Sequence, residues 1–341
     1  YKPLSKIAEI ARGLPKVKLI HSISTGYAGI LGSGASAISG TPFLLTEHGI
    51  YTKERKIDLI QASWIKDSEQ SLGKNLNTEM GFIRRMWINF FEQIGRTTYQ
   101  QATKIISLYD GNMQRQIKDG AEPAKTLVVP NGIKTVRFKQ ALLQRPEKTP
   151  MVVGLIGRVV PIKDIKTFIR AIKEAQSIIP TLEGWIIGPF EEDPKYYQEC
   201  QLLVDSLDLI DNVKFLGMQN IAEILPKLGV VALTSISEAQ PLVLLEAMAA
   251  GVPVLASDVG SCREIIEGAT AQDKAFGKAG EVVAIASPSD TAQQIVNILQ
   301  NEQRWREYQK SGLERVQKFY DESHMFARYD KLYKDTMAWP E

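Results

Sequence analysis

Thr234-Ser235-Ile236-Ser237-Glu238-Ala239-Gln240-Pro241-Leu242-Val243-Leu244-Leu245-Glu246-Ala247-Met248-Ala249-Ala250-Gly251-Val252-Pro253 is the stretch whose reading decides the fold. The apolar run Val230–Leu233 before it has the length and composition of a buried strand. Pro241 has a preset φ and no N–H to leave unpaired, so it suits a first helical position. Leu242–Ala250 is then a helix of good formers, closed by Gly251 and Pro253. This is a strand–loop–helix unit, with Glu238 in the loop and Glu246 inside the helix, about 7 Å along its axis. Between the two carboxylates lie the free amides of Leu242 and Val243 and the positive end of the helix dipole, a setting for a phosphate. One carboxylate on either side of a phosphate site suits a ligand with hydroxyls at both ends, such as a nucleotide sugar.

The pattern repeats outward from this unit. Lys18–Ile20, Phe43–Leu45, Ile105–Leu108 and Leu127–Val129 read as strands of a first sheet. Val152–Ile156, Gly184–Ile187, Val213–Phe215, Val230–Leu233, Val254–Ala256 and Val282–Val283 read as strands of a second. Helical patterns at Tyr27–Ile38, Gly81–Gln101, Gly111–Asp119, Ile165–Ala175, Pro194–Leu207 and Ile221–Lys227 fall between them. Strands alternating with helices predict an α/β protein with two parallel, doubly wound Rossmann-like sheets. The expected division is a first domain over 1–136, a polar, proline-bearing linker over 137–150 and a second domain over 151–310. A single long helix is expected over Ser311–Trp339. Gly29, Gly32 and Gly34 fall within a helical pattern and read as tight helix packing. Tyr1–Leu14 reads as a helix leading into an interior strand.

Composition narrows the class of function. Lys and Arg number 41 against 39 Asp and Glu, a balance that gives no support to nucleic-acid binding. Cys200 and Cys262 match no metal spacing, and three histidines are too few and too scattered for a cluster, so a reduced, cytoplasmic chain is the simplest reading. No run of 18 apolar residues occurs. No Gly-x-Gly-x-x-Gly opens a βαβ unit, which argues against a dinucleotide-dependent oxidoreductase.

Three further places carry chemistry. Gly157-Arg158 and Lys163 lie between a strand and a helix, where glycine lets the backbone approach a ligand and two cations meet negative charge. Gly217-Met218 ends the strand that begins near Val213. His48 follows the apolar run Pro42–Leu45, at the carboxyl end of a strand. The chain contains no Asp-x-Asp, the pair many sugar-transferring enzymes of another fold use to hold a metal, so metal-independent chemistry with no cofactor is expected.

Glu238 and Glu246 with seven residues between them, followed by Ala247-Met248-Ala249-Ala250-Gly251-Val252-Pro253-Val254, resemble the signature of retaining GT-B glycosyltransferases of family 4. The resemblance runs from about Leu14 to the C-terminus. Finer features, Thr46–Arg55, Ile60–Trp64 and Ser257–Glu264, are similar to PelF-type glycosyltransferases of Pel exopolysaccharide assembly. The resemblance implies two Rossmann-like domains facing a cleft, the first expected to lack its leading segments, with the C-terminal helix of 311–341 crossing back to the first. It implies roles as well. Arg158, Lys163 and the amides of Leu242 and Val243 would hold a diphosphate, and the backbone at Gly217 and Met218 would receive the base. Glu246 would take the ribose hydroxyls. Glu238 and His48 would serve the donor sugar at the reacting centre, with Ala239, Gln240 and Pro241 lining its pocket. Glu47 and Arg55 would be weaker candidates for acceptor contacts. Relatives often carry Gly where this chain has Ser261.

The expected function is thus metal-independent, retaining transfer of a hexose from a UDP-sugar to a growing polysaccharide. It would take place at the cytoplasmic face of a membrane beside membrane-bound synthase partners in biofilm exopolysaccharide synthesis. The alternatives are a GT-B nucleotide-sugar 2-epimerase and a catalytically inactive UDP-sugar-binding scaffold.

Overall fold

The computed structural model of the chain describes residues 2–62, 65 and 81–337. Ser63 and Trp64 of the Ile60–Trp64 motif, and the last residues of the expected C-terminal helix, lie outside them. The chain splits into two compact units, Tyr1–Pro130 with Ala327–Glu341, and Asn131–Phe326.

The first unit is built on four strands, β1 (Ile20–Ser22), β2 (Phe43–Glu47), β3 (Lys104–Ser107) and β4 (Thr126–Val128), all parallel and in the order β1-β2-β3-β4. Every residue of β2 is buried, as a strand covered on both faces must be. The core gathers Phe43, Leu45, Tyr99 and Ile105 around this sheet, and Leu59, Ile88, Phe91 and Ile94 where the helices Tyr51–Gln61 and Phe82–Gln101 meet. β1 lies two residues later than the apolar run suggested. Its ladder starts only where Ile20 meets Phe43, the first residue of β2. Gly32 packs the helix Tyr27–Ser39 onto the sheet, since a Cβ there would stand 2.6 Å from the Phe43 ring. The glycine-rich stretch is helix packing, as its sequence indicates.

The second unit holds six parallel strands: β5 (Val152–Ile156), β6 (Glu183–Ile187), β7 (Val213–Gly217), β8 (Val230–Leu233), β9 (Val254–Ser257) and β10 (Gly280–Val283). Their order is β10-β9-β8-β5-β6-β7. The chain leaves β5 in one direction through β6 and β7, then returns to β8 on the other side of β5 and continues outward. The order therefore reverses between β5 and β8, the place where ligands sit at the carboxyl ends of doubly wound strands. Ile165, Phe168, Ile169 and Ile172 cover one face, from the helix Ile165–Gln176. Leu244, Leu245 and Met248 cover the other, from Leu242–Ala249.

Three local expectations change. The 137–150 stretch, read as a linker, contains the helix Lys139–Leu143 and buries Phe138 and Ala141 in the core of the second unit. Its polar composition masks two apolar anchors. The C-terminal helix is two helices, Glu302–Phe319 and Glu322–Met337. The break comes where Asp321 bridges to Ile133: Ile133 N–H donates to Tyr320 O at 2.8 Å, and Glu322 N–H to Ile133 O at 2.9 Å. Gly132 permits this approach, because a Cβ there would lie 2.6 Å from Glu322 Cα. Finally, Pro241 is the residue before the helix rather than its first residue, with ψ of 109°.

Candidate functional site

The reversal point brings two loops together in the second unit. The loop after β5 runs through Gly157 and Arg158 into a 3-10 turn, Pro161–Lys163. Asp164 then caps the helix Ile165–Gln176 in left-handed conformation (φ 45°), its carboxylate accepting from Thr167 N–H. The loop after β8 is pinned beside it. Ile236 N–H donates to Ile162 O at 2.9 Å, and Thr234 Oγ1 donates to Lys163 O and Asp164 O.

This juxtaposition sets the central contact of the site. Lys163 Nζ donates to Glu238 Oε1 at 2.5 Å, with the side chains 20% and 13% exposed. The lysine stem passes Gly157, where a Cβ would stand 3.6 Å from Lys163 Cε. An ammonium has three donors, so the pair leaves two for other acceptors. Arg158, by contrast, turns outward and pairs with Glu192 at 2.6 Å, both about half exposed (52% and 51%). Such an exposed pair exchanges readily for a stronger anion.

The loop that carries Glu238 is also held from behind. Ser261 N–H donates to Ala239 O at 2.8 Å. Gly260, at φ 54°, lies so close that a Cβ would be 2.3 Å from Glu238 O and 2.4 Å from Ala239 O. Gln240 is buried, and its Oε1 accepts from Asn131 N–H at 2.7 Å. Pro241 is buried as well, while Leu242 and Val243 place their amides in the first turn of Leu242–Ala249. Glu246 is half-buried on that helix; burial pushes its carboxyl up from the ordinary range, and the nearby Arg137 charge opposes this. Arg137 falls in the stretch expected as a linker, and no motif marks it. Cys262 is buried at the same turn, and burial followed by the Glu238 charge pushes its thiol up to about 12, so it stands protonated and inert.

The ends of β5, β6 and β7 are tied together by backbone alone. Gly157 N–H donates to Ile187 O at 2.8 Å, and Gly188 N–H donates to Gly217 O at 2.9 Å. Gly188, at φ 145°, admits no side chain, because a Cβ would meet Gly157 O at 2.1 Å. No motif marks Gly188; its signal in the sequence is a glycine directly ending the apolar run Ile186-Ile187. Gly217 turns the chain at φ 62°, and Met218 beyond it is 73% exposed.

His48 belongs to the first unit, where it is exposed just past the end of β2. Glu47 beside it differs from its expected acceptor role. It is fully buried and accepts from Tyr99 Oη at 2.6 Å, Thr25 Oγ1 at 2.8 Å and Gln116 Nε2 at 3.0 Å. That makes it an internal tie of the unit. Arg55 donates to Tyr51 Oη at 3.2 Å and lies over the Tyr51 and Phe91 rings. Among the described residues no group of three or more His, Cys, Asp or Glu gathers as a metal site, and no helix is long and apolar enough to cross a membrane.

Two family models match the chain: a domain of unknown function (DUF3492) over residues 1–124, and glycosyl transferases group 1 over 138–315. N-acetyl-alpha-D-glucosaminyl L-malate synthase of Bacillus anthracis is 32% identical over 40% of this chain and 34% of its own length. Phosphatidyl-myo-inositol mannosyltransferase of Mycolicibacterium smegmatis is 26% identical over 74% of this chain and 62% of its own. The chain thus spans less than two thirds of these curated relatives. Among solved structures, HepE of Anabaena in complex with UDP superposes with a TM-score of 0.76 at 19% identity, covering 96% of this chain and 82% of its own. Sucrose-phosphate synthase of Thermosynechococcus elongatus superposes at 0.72 and 21% identity, over 97% and 76%. At such identities the likeness speaks for the fold, a GT-B architecture of two Rossmann-like units.

Proposed function

This chain belongs to the glycosyl transferases group 1 family, and from that premise we propose that it transfers a hexose from a UDP-sugar to a saccharide acceptor. One observation carries the reading. At the strand-order reversal of the second unit, Lys163 is paired with Glu238, four residues before the helix Leu242–Ala249 that carries Glu246.

The chemistry follows from charge. As the anomeric carbon–oxygen bond breaks, its electron pair passes to the β-phosphate, and positive charge spreads over the sugar ring. Fixed donors aimed at the phosphate lower that barrier most. Lys163, Arg158 once released from Glu192, and the amides of Leu242 and Val243 supply them without a metal. Glu238 takes hydroxyls of the donor sugar and balances the developing ring charge. Glu246 accepts from the ribose hydroxyls, and the backbone at Gly217 and Met218 faces the base. Ala239, Gln240 and Pro241 line the sugar pocket, and His48 contacts the donor sugar. The acceptor oxygen forms the new bond on the face that the phosphate leaves, and its proton passes to the departing phosphate, so configuration is retained. Features shared with PelF-type enzymes favour an exopolysaccharide acceptor handled beside membrane-bound partners. The UDP bound in Anabaena HepE supports the choice of nucleotide.

Glu238→Ala tests the assignment. UDP affinity is expected to stay within about threefold by calorimetry, while release of UDP from UDP-glucose or UDP-N-acetylglucosamine in the presence of acceptor falls to background. Full transfer by the variant would refute the role. UDP release that needs no acceptor in the unaltered protein would favour the 2-epimerase instead.

A further inference from the structure

Three helices of the first unit enclose an open cavity of about 350 Å³. Tyr51–Gln61 supplies Lys53 and Lys56, Phe82–Gln101 supplies Glu92 and Arg96, and Asp110–Lys118 supplies Arg115, with Asp119 just beyond it. Their charges are unequally matched. Lys56 pairs with Glu92 at 3.4 Å and Arg115 with Asp119 at 2.8 Å. Lys53 and Arg96 have neither ion pair nor hydrogen bond among the described residues. Two formal positive charges are left over, as many as the whole 341-residue chain carries in excess.

The floor beneath is closely packed and shields one unpartnered hydroxyl. Thr52 lines the cavity, is only 8% exposed, and its Oγ1 has no partner. A helical threonine ordinarily returns its hydroxyl to a carbonyl one turn back, and a buried hydroxyl without a partner is destabilising. Gly95 faces it across the helix pair, where a Cβ would come within 2.8 Å of Thr52 Cγ2. Any side chain at 95 would crowd the floor.

We propose that this cavity binds a phosphate monoester, with Lys53 and Arg96 as counter-charges. A monoester carries a charge of about −1.5 to −2 near neutrality, which matches two uncompensated cations. A carboxylate would leave one of them unpaired. The volume lies at the small end of ligand pockets, about 300–1,000 Å³, which suits a sugar phosphate or the headgroup of a phosphorylated lipid.

The test uses the full chain with UDP at saturation, so that diphosphate-binding groups of the second unit are filled. Glucose 6-phosphate is titrated by calorimetry with glucose as control, and phosphatidylcholine vesicles with and without phosphatidic acid are co-sedimented. Binding of glucose 6-phosphate identifies a free phosphate ester, whereas binding of phosphatidic acid vesicles alone identifies a lipid headgroup. Either binding is expected to weaken at least tenfold in the Lys53→Gln/Arg96→Gln double variant, whose two positions have no partner to strand, and UDP affinity is expected to stay unchanged. Absence of both bindings, or either surviving in the double variant, overturns the proposal. If UDP itself fails to bind, the donor reading fails separately, and the same titrations without UDP still decide the cavity.

Discussion

Three carboxylates of this chain show how little residue type says about role until burial and partners are known. Glu47, Glu238 and Glu246 all fall in motif-like contexts. Glu47 is sealed among three side-chain donors and serves the fold, Glu238 is paired with Lys163 at the strand-order reversal, and Glu246 is half-buried on a helix. The sequence told Glu238 and Glu246 apart from surface acids through their spacing around a helix start. It had no means of telling that Tyr99 and Gln116, 52 and 69 positions away, would close over Glu47. For Glu246 the environment has a consequence in pH. Burial raises its carboxyl, so the protonated form is the one the fold favours. Its contribution to stability is therefore fully present below the ordinary glutamate range and is lost as pH rises through the raised value. In the proposed ribose role, hydroxyls donating to the carboxylate would favour its charged form, so UDP binding is expected to release a proton and to weaken as pH falls through that value. Glu246→Gln is expected to weaken UDP binding at least tenfold, about 1.4 kcal/mol, and to remove this proton release. UDP's own phosphate titration remains in the variant and serves as the internal control. Calorimetry in two buffers of different ionisation heat measures both; an unchanged affinity and proton release in the variant would rule out the ribose role.

At the scale of elements, β5 and β8 were legible to the residue, and the helices that follow them to within a residue at their ends. Buried parallel strands are continuous apolar runs bounded by glycine and proline, and nothing long-range is needed to recognise them. The break at Tyr320–Asp321 was not legible, because it is made by a partner segment at Ile133–Thr135. The Ser323 hydroxyl, Thr135 Oγ1 and the Ser323 amide all donate to Asp321, holding its carboxyl down at about 2. Only the Asp321-Glu322-Ser323 order hinted at a new helix start. The turn at Gly260 belongs to the same class of long-range effect. It braces Glu238 from 22 positions away, and its positive φ already disfavours any other residue. Gly260→Ala would drive a methyl into Glu238 O and Ala239 O and displace the loop, yet leave Leu242–Ala249 and Glu246 in place. The expected result is at least a tenfold loss of kcat, with UDP affinity within about threefold of the unaltered protein. Equal loss of both would mean that the loop and the helix move as one, and no loss would mean that the brace is idle.

For the whole molecule, the two units own separate cores. Phe43, Leu45 and Ile105 serve the first, and the two large clusters built on β5, β8 and the helix Leu242–Ala249 serve the second. The second core is far the larger, and every residue given to the donor except His48 stands on it. Chains with independent cores seldom unfold in one step. A ligand that binds one folded unit stabilises that unit alone, by about 2.7 kcal/mol at a hundredfold excess over Kd. Two heat-absorption transitions are therefore expected in scanning calorimetry, and UDP should raise only one of them. The shift should vanish in Glu246→Ala while both transitions persist, which ties the moving one to the second unit. The residues from Ala327 onward count with the first unit, where Tyr333 Oη meets His21 Nδ1 at 2.7 Å and Tyr329 Oη meets Thr46 Oγ1 at 3.1 Å. Tyr333→Phe should accordingly lower the transition that UDP leaves unmoved, and only that one. A single transition that UDP shifts as a whole, or a Tyr333→Phe effect on the UDP-sensitive step, would show that the cores are thermodynamically one.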